Sequence, residues 1–163
     1  MRKSGLLLAL MTTTALTSCY YFYPVPTPCP AIAQASAVSV TIPVSYVPRV
    51  GTLRLKACQD GACKEDTVEL RPGMVSVDQG CSPDGVCSAT ASPDGTLTGT
   101  LFLDSLTEAP MSVTATGTAP GGQALPVRTL DFRPRGDFPF GEQCGRFVTA
   151  SVVLDAEGLR QSS

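Results

Sequence analysis

The stretch that decides the fold runs from Arg54 to Leu70 and reads RLKACQDGACKEDTVEL. Apolar and polar residues alternate through its first half, which is the period-two pattern of a half-buried strand. Asp60-Gly61 is a preferred two-residue hairpin turn, and it places Cys58 directly opposite Cys63. Opposed residues of a non-hydrogen-bonded pair have Cα atoms about 4.5 Å apart, a separation that a disulfide can span. The stretch therefore predicts an antiparallel hairpin closed by a Cys58–Cys63 disulfide.

Short alternating segments continue through the rest of the chain, and no window after the first residues has a sustained helical period. We expect strands at 38–46, 52–59, 64–70, 75–77, 88–91, 97–103, 111–116, 125–132 and 146–154. Arg71–Gly73 and Ser92–Gly95 are interpreted as breaks between strands, because Pro, Asp and Gly favour turns.

The number and spacing of these segments predict the fold class. About seven to nine short strands indicate an all-β, antiparallel sandwich of the immunoglobulin or fibronectin type over residues 36–156. A small closed barrel is the alternative. Residues 157–163 are expected to form a disordered C-terminal tail.

The first eighteen residues have the parts of a bacterial export signal. The charged pair Arg2-Lys3 precedes an apolar run over residues 5–16, which is too short to span about 30 Å of hydrocarbon. The run ends in Leu16-Thr17-Ser18-Cys19, and here the chain resembles bacterial lipoproteins, whose lipobox is Leu, two small residues and Cys. The resemblance implies that residues 1–18 are removed and that Cys19 carries diacylglycerol. The alternative is ordinary secretion with cleavage after Ala31-Ile32-Ala33.

Residues 19–35 are predicted to tether the lipid to the sandwich. Aromatic side chains favour the headgroup zone of a membrane, and four of them follow the lipobox directly: Tyr20, Tyr21, Phe22 and Tyr23. Proline restricts its own φ and the preceding residue, and alternate positions from 24 to 30 are proline. A stiff spacer from Tyr20 to Ala35 would reach about 50 Å at about 3.1 Å per residue.

Cysteine usage indicates an oxidising compartment. Of seven cysteines, six remain after Cys19 is assigned to lipid, and an even number in an exported chain favours three disulfides. Cys81 and Cys87 flank a Ser-Pro-Asp-Gly turn and are predicted to pair. By elimination Cys29 pairs with Cys144, which fastens the end of the tether near the last strand. Metal binding by these thiols is disfavoured, because zinc-binding cysteines usually have two residues between them.

The order of motifs also resembles a loose class of uncharacterised actinobacterial lipoproteins. They combine a lipobox, a Cys-x-Asp-Gly-x-Cys hairpin, a Gly-Cys…Cys-Ser-Ala segment and a late Phe/Tyr-Pro-x-Gly-x-x-Cys-Gly element. The corresponding positions in this chain are 58–63, Gly80-Cys81 with Cys87-Ser88-Ala89, and 138–145. The resemblance spans most of the mature domain and implies no particular activity.

The sequence contains few of the residues and motifs that are typical of catalytic sites. The chain has no His, which excludes Ser-His-Asp and Cys-His catalysis and any metal site that needs His. It contains no Ser-x-x-Lys motif, nucleophile elbow or phosphate-binding glycine loop. Its formal net charge is −2, whereas nucleic-acid binding calls for clustered Lys and Arg. We therefore predict no enzymatic activity, no cofactor, no metal site and no nucleic-acid partner.

Phe138 and Phe140, which flank Pro139 ahead of Cys144, are the candidates for a surface-binding site. Exposed paired Phe side chains are unusual in a soluble domain. The favoured alternative is therefore a loop that folds over the open end of the sandwich.

These observations leave three function classes. The first is a non-enzymatic, monomeric module that is lipid-anchored to the cell membrane on its extracytoplasmic side and that binds an envelope protein or has a structural role. The second is an accessory domain that modulates an envelope enzyme or transporter. The third is a hydrolase that uses two carboxylates about 5–10 Å apart.

Overall fold

The computed structural model describes residues 28–31 and 34–162. Ten strands lie in this part of the chain, with 3₁₀ turns at Val47–Arg49 and Glu142–Cys144. The strands are β1 (Ala37–Ile42), β2 (Thr52–Gln59), β3 (Ala62–Val68), β4 (Arg71–Cys81), β5 (Cys87–Phe102), β6 (Met111–Thr118), β7 (Arg128–Phe132), β8 (Arg135–Asp137), β9 (Phe147–Leu154) and β10 (Leu159–Gln161). Within the described ranges, no helix is long and apolar enough to span a membrane.

The strands form two sheets that share one apolar core. The first sheet has the order β10-β9-β1-β5-β4, with β8 also paired to β9, and the second has the order β3-β2-β6-β7. Alternate side chains of both sheets point inward, as in a sandwich, and the most completely buried are Val38, Val40, Ile42, Leu53, Leu55, Val113 and Val152. The prediction of an all-β sandwich is confirmed, and the immunoglobulin-like strand layout stays a prediction.

The hairpin at the Asp60-Gly61 turn has the predicted register. β2 and β3 pair antiparallel, with Cys58 opposite Cys63. The structure joins the three cysteine pairs that the sequence predicts. The Cα atoms are 4.1 Å apart in Cys58–Cys63, 3.9 Å in Cys81–Cys87 and 5.3 Å in Cys29–Cys144.

Both ends of the domain differ from the sequence prediction. Residues 157–163 are not simply a disordered tail, because β10 pairs antiparallel with β9 through Leu159–Gln161. The pairing of β1 with β9 is parallel, so the sandwich is not wholly antiparallel. β1 ends at Ile42, before a proline that cannot donate to a ladder.

The two predicted breaks at Arg71–Gly73 and Ser92–Gly95 are wrong. Arg71–Gly73 opens β4, and Ser92–Gly95 lies inside the sixteen-residue strand β5. The pairing between β4 and β5 shifts register between Pro72 and Met74, which accommodates the extra residues as a bulge. Gly95 has a φ of 83° there. The residues that favour a turn therefore form a bulge, and the chain continues in the same direction.

The sandwich has two ends that matter for function. We call the end where β1 and β9 begin the N-terminal pole, and it carries the Cys29–Cys144 disulfide. The Gln34 side chain donates to the Val148 carbonyl at this pole, so the last part of the predicted tether is held against the domain. We call the opposite end, where β1 and β9 end, the distal pole. Cys19, the predicted signal peptide and Tyr20–Tyr23 lie outside the described residues.

Candidate functional site: a β-arm and an arginine pocket at the distal pole

A two-stranded ribbon projects from the distal pole, and we call residues 74–93 the β-arm. β1 pairs with β5 only from Leu97 to Phe102, whereas β4 continues to pair with β5 as far as Cys81–Cys87. Every residue from Met74 to Ala91 is exposed. The arm therefore extends beyond the sandwich by about 25 Å, at about 3.4 Å per residue, with no third strand beside it in the described chain.

The tip of the arm is closed by covalent and hydrogen bonds. The Cys81–Cys87 disulfide joins its two strands, and the Ser82 amide donates to the Val86 carbonyl at 2.8 Å. A second register shift lies between Asp78 and Cys81. An isolated two-stranded hairpin is marginally stable at best, so we expect this disulfide to stabilise the pairing of the exposed strands.

The base of the arm is fixed by the bulge. The Asp94 carboxylate accepts from the Thr96 amide at 2.9 Å and from the Thr96 hydroxyl at 2.7 Å. These bonds hold the pKa of Asp94 below its usual value, with the hydroxyl bond as the largest cause. A Cβ at the buried Gly73 would meet that same hydroxyl, so the two strands approach closely where the arm leaves the sandwich.

Large apolar side chains are exposed on the arm. The exposed fractions are 55% for Met74, 49% for Val75, 41% for Val77 and 69% for Val86. Soluble proteins usually keep contiguous exposed apolar patches small. Such a ribbon is therefore suited to contact with another molecule.

Charge on the arm has one sign. Asp78 and Asp84 are its acidic residues, and no Lys or Arg occurs in the sequence between Arg71 and Arg128. By contrast, the outer strand of the second sheet, β3, carries Lys64, Glu65 and Asp66 in succession. Charged side chains of both signs, especially Lys, protect a sheet edge from pairing with another chain. On β4 the charged residues are Arg71 at its start and Asp78 within the arm, so the edge from Met74 to Val77 carries no charge.

A cavity of about 470 Å³ also lies at the distal pole, and we call it the arginine pocket. It lies between the turn that follows β1, the loop between β6 and β7, and the turn after β9. Its lining residues are Ser45, Tyr46, Arg49, Ala119, Gln123, Ala124, Leu125, Pro126, Arg128 and Ala156. None of these lining residues is Asp or Glu, so the two guanidinium groups dominate its charge.

The predicted aromatic site lies at the N-terminal pole, away from the arm and the arginine pocket. Phe138 and Phe140 are each 37% exposed. The ring of Phe140 lies 5.5 Å from that of Phe147 in an edge-to-face arrangement, and the Arg146 guanidinium lies 5.5 Å from the Phe138 ring centre. The two rings are thus half-covered by their neighbours, and they are not part of the core cluster.

The carboxyl groups with a displaced pKa do not have the environment of a general acid. The pKa of Glu69 is lowered by its hydrogen bond with Arg71 and by the charge of that guanidinium. For Asp155, burial acts to raise the pKa, but hydrogen bonds from Arg160, Gly158 and Glu157 outweigh it and the net shift is downward. A general acid needs a raised pKa. Among the described residues, no group of three Cys, Asp or Glu residues is placed to hold a metal ion.

Comparisons with protein-family models, with curated proteins and with solved structures found no match to this chain. The sequence predicts the Cys81–Cys87 pairing but not the continuous arm, and it does not predict the arginine pocket because Arg49 and Arg128 are far apart in the chain.

Proposed function

We propose that this protein is a non-enzymatic, lipid-anchored binding module that faces the extracytoplasmic side and docks its β-arm onto an envelope protein. The observation that carries the proposal is the β-arm itself, an exposed ribbon at the pole opposite the N-terminal attachment. A chain held at the N-terminal pole by Cys19 would direct the arm away from the membrane surface.

Strand pairing is the mode of docking that the arm supports. β4 is the outer strand of its sheet, and an exposed edge offers a row of backbone donors and acceptors to an extended partner segment. Val75 and Val77 lie on the same side of β4 as their cross-strand partners Ser92 and Thr90. Alternate apolar side chains of the partner would cover this face.

Charge defines the chemistry of the partner segment. Asp78 and Asp84 are the charged groups on the arm, and like charges opposed across a strand pair are destabilising. We therefore assign the docking partner as an extended segment that alternates β-branched and basic side chains. A second copy of this chain that paired about Asp78 would oppose two carboxylates, which disfavours self-pairing in that register.

The test uses the full mature chain with its disulfides oxidised and two matched six-residue peptides. One peptide alternates Val with Lys, and the other alternates Val with Glu. We expect the Lys peptide to shift amide NMR signals along Met74–Cys81, with an affinity at least about tenfold above that of the Glu peptide, because opposite charges attract across the pair.

The control is the Lys peptide with N-methylated amides, which cannot complete a ladder and should not bind. Equal binding of all three peptides, shifts outside the arm, or no shifts at all would overturn the docking proposal. Dimerisation through β4 without any peptide would replace it with self-association.

The anchor is tested separately. Cys19→Ser removes the thiol that would carry lipid, so this variant is expected to leave the membrane fraction and to lose incorporation of labelled fatty acid. Unchanged partitioning and labelling would refute lipid attachment at Cys19. Cys58→Ser is the matched control, because it changes another cysteine and should leave partitioning as in the wild type.

A further inference from the structure

The arginine pocket combines two cations without a counter-ion. Within residues 28–31 and 34–162, four ion pairs are present, and neither Arg49 nor Arg128 belongs to them. The nearby carboxylate of Asp155 is occupied, since its Oδ2 lies 3.1 Å from Nε of Arg160. Neither guanidinium group therefore has an ion-pair partner among the described residues.

Arg128 is held in place but is poorly satisfied. A guanidinium has five N–H donors, and Nη2 of Arg128 donates to the Ala156 carbonyl at 3.3 Å. Its Nε is inaccessible to solvent and has no hydrogen-bond partner among the described residues. Buried donors are normally paired, so the hydrogen bonding of Arg128 is incomplete within the described residues.

The volume and the lining of the pocket suit a small molecule. Its volume of about 470 Å³ lies within the range of about 300–1,000 Å³ that is usual for ligand sites. The lining also includes the hydroxyl groups of Ser45 and Tyr46 and the side-chain amide of Gln123. Leu125 and Pro126 supply an apolar wall, so the pocket offers donors and apolar contact together.

We propose that the arginine pocket binds a small ligand with an oxyanion group, a phosphate or a carboxylate, held between Arg49 and Arg128. Guanidinium groups recognise both oxyanions through charge-assisted, often paired, hydrogen bonds. The pocket is separate from the β-arm and does not depend on the docking proposal. Either proposal can fail while the other stands.

The test is a titration of the full mature chain with inorganic phosphate and with acetate, monitored by the arginine Nε–H NMR signals. The wild type is expected to show a saturable shift of the Arg128 Nε–H signal with at least one of the two anions. The anion that binds more tightly shows whether the pocket prefers a phosphate or a carboxylate ligand. A chloride titration at equal ionic strength is the control for screening.

Substitution of the pocket arginines tests whether the anion binds in this pocket. Arg49→Met and Arg128→Met should each weaken anion binding by about tenfold or more, because each removes charge-assisted donors. Arg133→Met is the matched control, since Arg133 follows β7 at its other end and does not line the pocket. It should bind as the wild type does.

Three results would overturn this proposal. They are the absence of a saturable shift with both anions, an equal shift with chloride, and wild-type affinity in both pocket variants. If Arg128→Met fails to fold, the wild-type titration and Arg49→Met still decide the outcome.

Discussion

Gly73 lies at the base of the β-arm, where there is no room for a larger side chain. It is buried, and a Cβ there would overlap the Thr96 hydroxyl and lie 2.6 Å from an oxygen of Asp94. Gly73→Ala must therefore displace the hydroxyl that fixes the bulge. We expect a loss of about 1–3 kcal/mol in the free energy of unfolding, the usual cost of overpacking, measured by urea denaturation.

Gly121→Ala is the matched control for this substitution. A Cβ at Gly121 has nothing within 4 Å, and this glycine does not have a positive φ. Its stability should stay within about 0.5 kcal/mol of the wild type, as for most surface changes. Equal effects of the two substitutions would show that the close approach at Gly73 does not matter.

At the scale of elements, the three disulfides should differ in their effect on stability. Cys29–Cys144 joins residues 115 apart, whereas Cys58–Cys63 joins residues 5 apart. Loop-closure entropy predicts upper limits of about 5 and about 2 kcal/mol for these loops. The Cys29→Ser/Cys144→Ser double variant should therefore unfold at a clearly lower urea concentration than Cys58→Ser/Cys63→Ser. The reverse order would contradict the chain-entropy explanation.

β10 is expected to loosen in acid. The net pKa of Asp155 is lowered by donors from Arg160, Gly158 and Glu157 against the opposing effect of burial. A lowered folded pKa means that this stabilisation is present above the unfolded pKa, about 3.9, and is lost as the pH falls through the folded value. The protection of the Leu159–Gln161 amides against exchange, relative to the intrinsic rate at each pH, should therefore fall below about pH 4.

Asp155→Asn tests the cause of that acid dependence. The variant removes the charge that pairs with Arg160 and should lower the protection of the Leu159–Gln161 amides at neutral pH, with little further loss of protection in acid. A loss of protection in acid of the same size in the wild type and the variant would assign it to another group.

The sequence predicted the elements whose signal is local. Alternation marked the core residues of β1, and Asp60-Gly61 set the register of the β2–β3 hairpin. The prediction of a turn at Ser92–Gly95 failed because the same residue types favour a turn between strands and a bulge within one strand, and here they lie inside β5. β10 has only three residues, too few for a periodic signal. The arginine pocket arises from long-range pairing of the sheets, which no local pattern reports.

At the scale of the whole molecule, the two poles differ in composition. The N-terminal pole carries the Cys29–Cys144 bond and the half-covered rings of Phe138 and Phe140. The distal pole carries the acidic β-arm and the arginine pocket. This separation allows the domain to be held at one end while the other end is presented to a partner.

The exposure of the arm leads to a prediction about the whole fold. Since every residue from Met74 to Ala91 is exposed, the arm contributes nothing to the buried core of the sandwich. Replacing Val75–Ser92 by Asn-Gly, which forms a two-residue hairpin turn, should leave the other two disulfides and the core intact.

Measuring this arm-less chain against the wild type is the most direct test that the arm exists for docking and not for folding. We predict a thermal midpoint within a few degrees of the wild type, together with complete loss of binding to the Val-Lys peptide. Unfolding of the arm-less chain, or undiminished peptide binding by a folded one, would contradict the account.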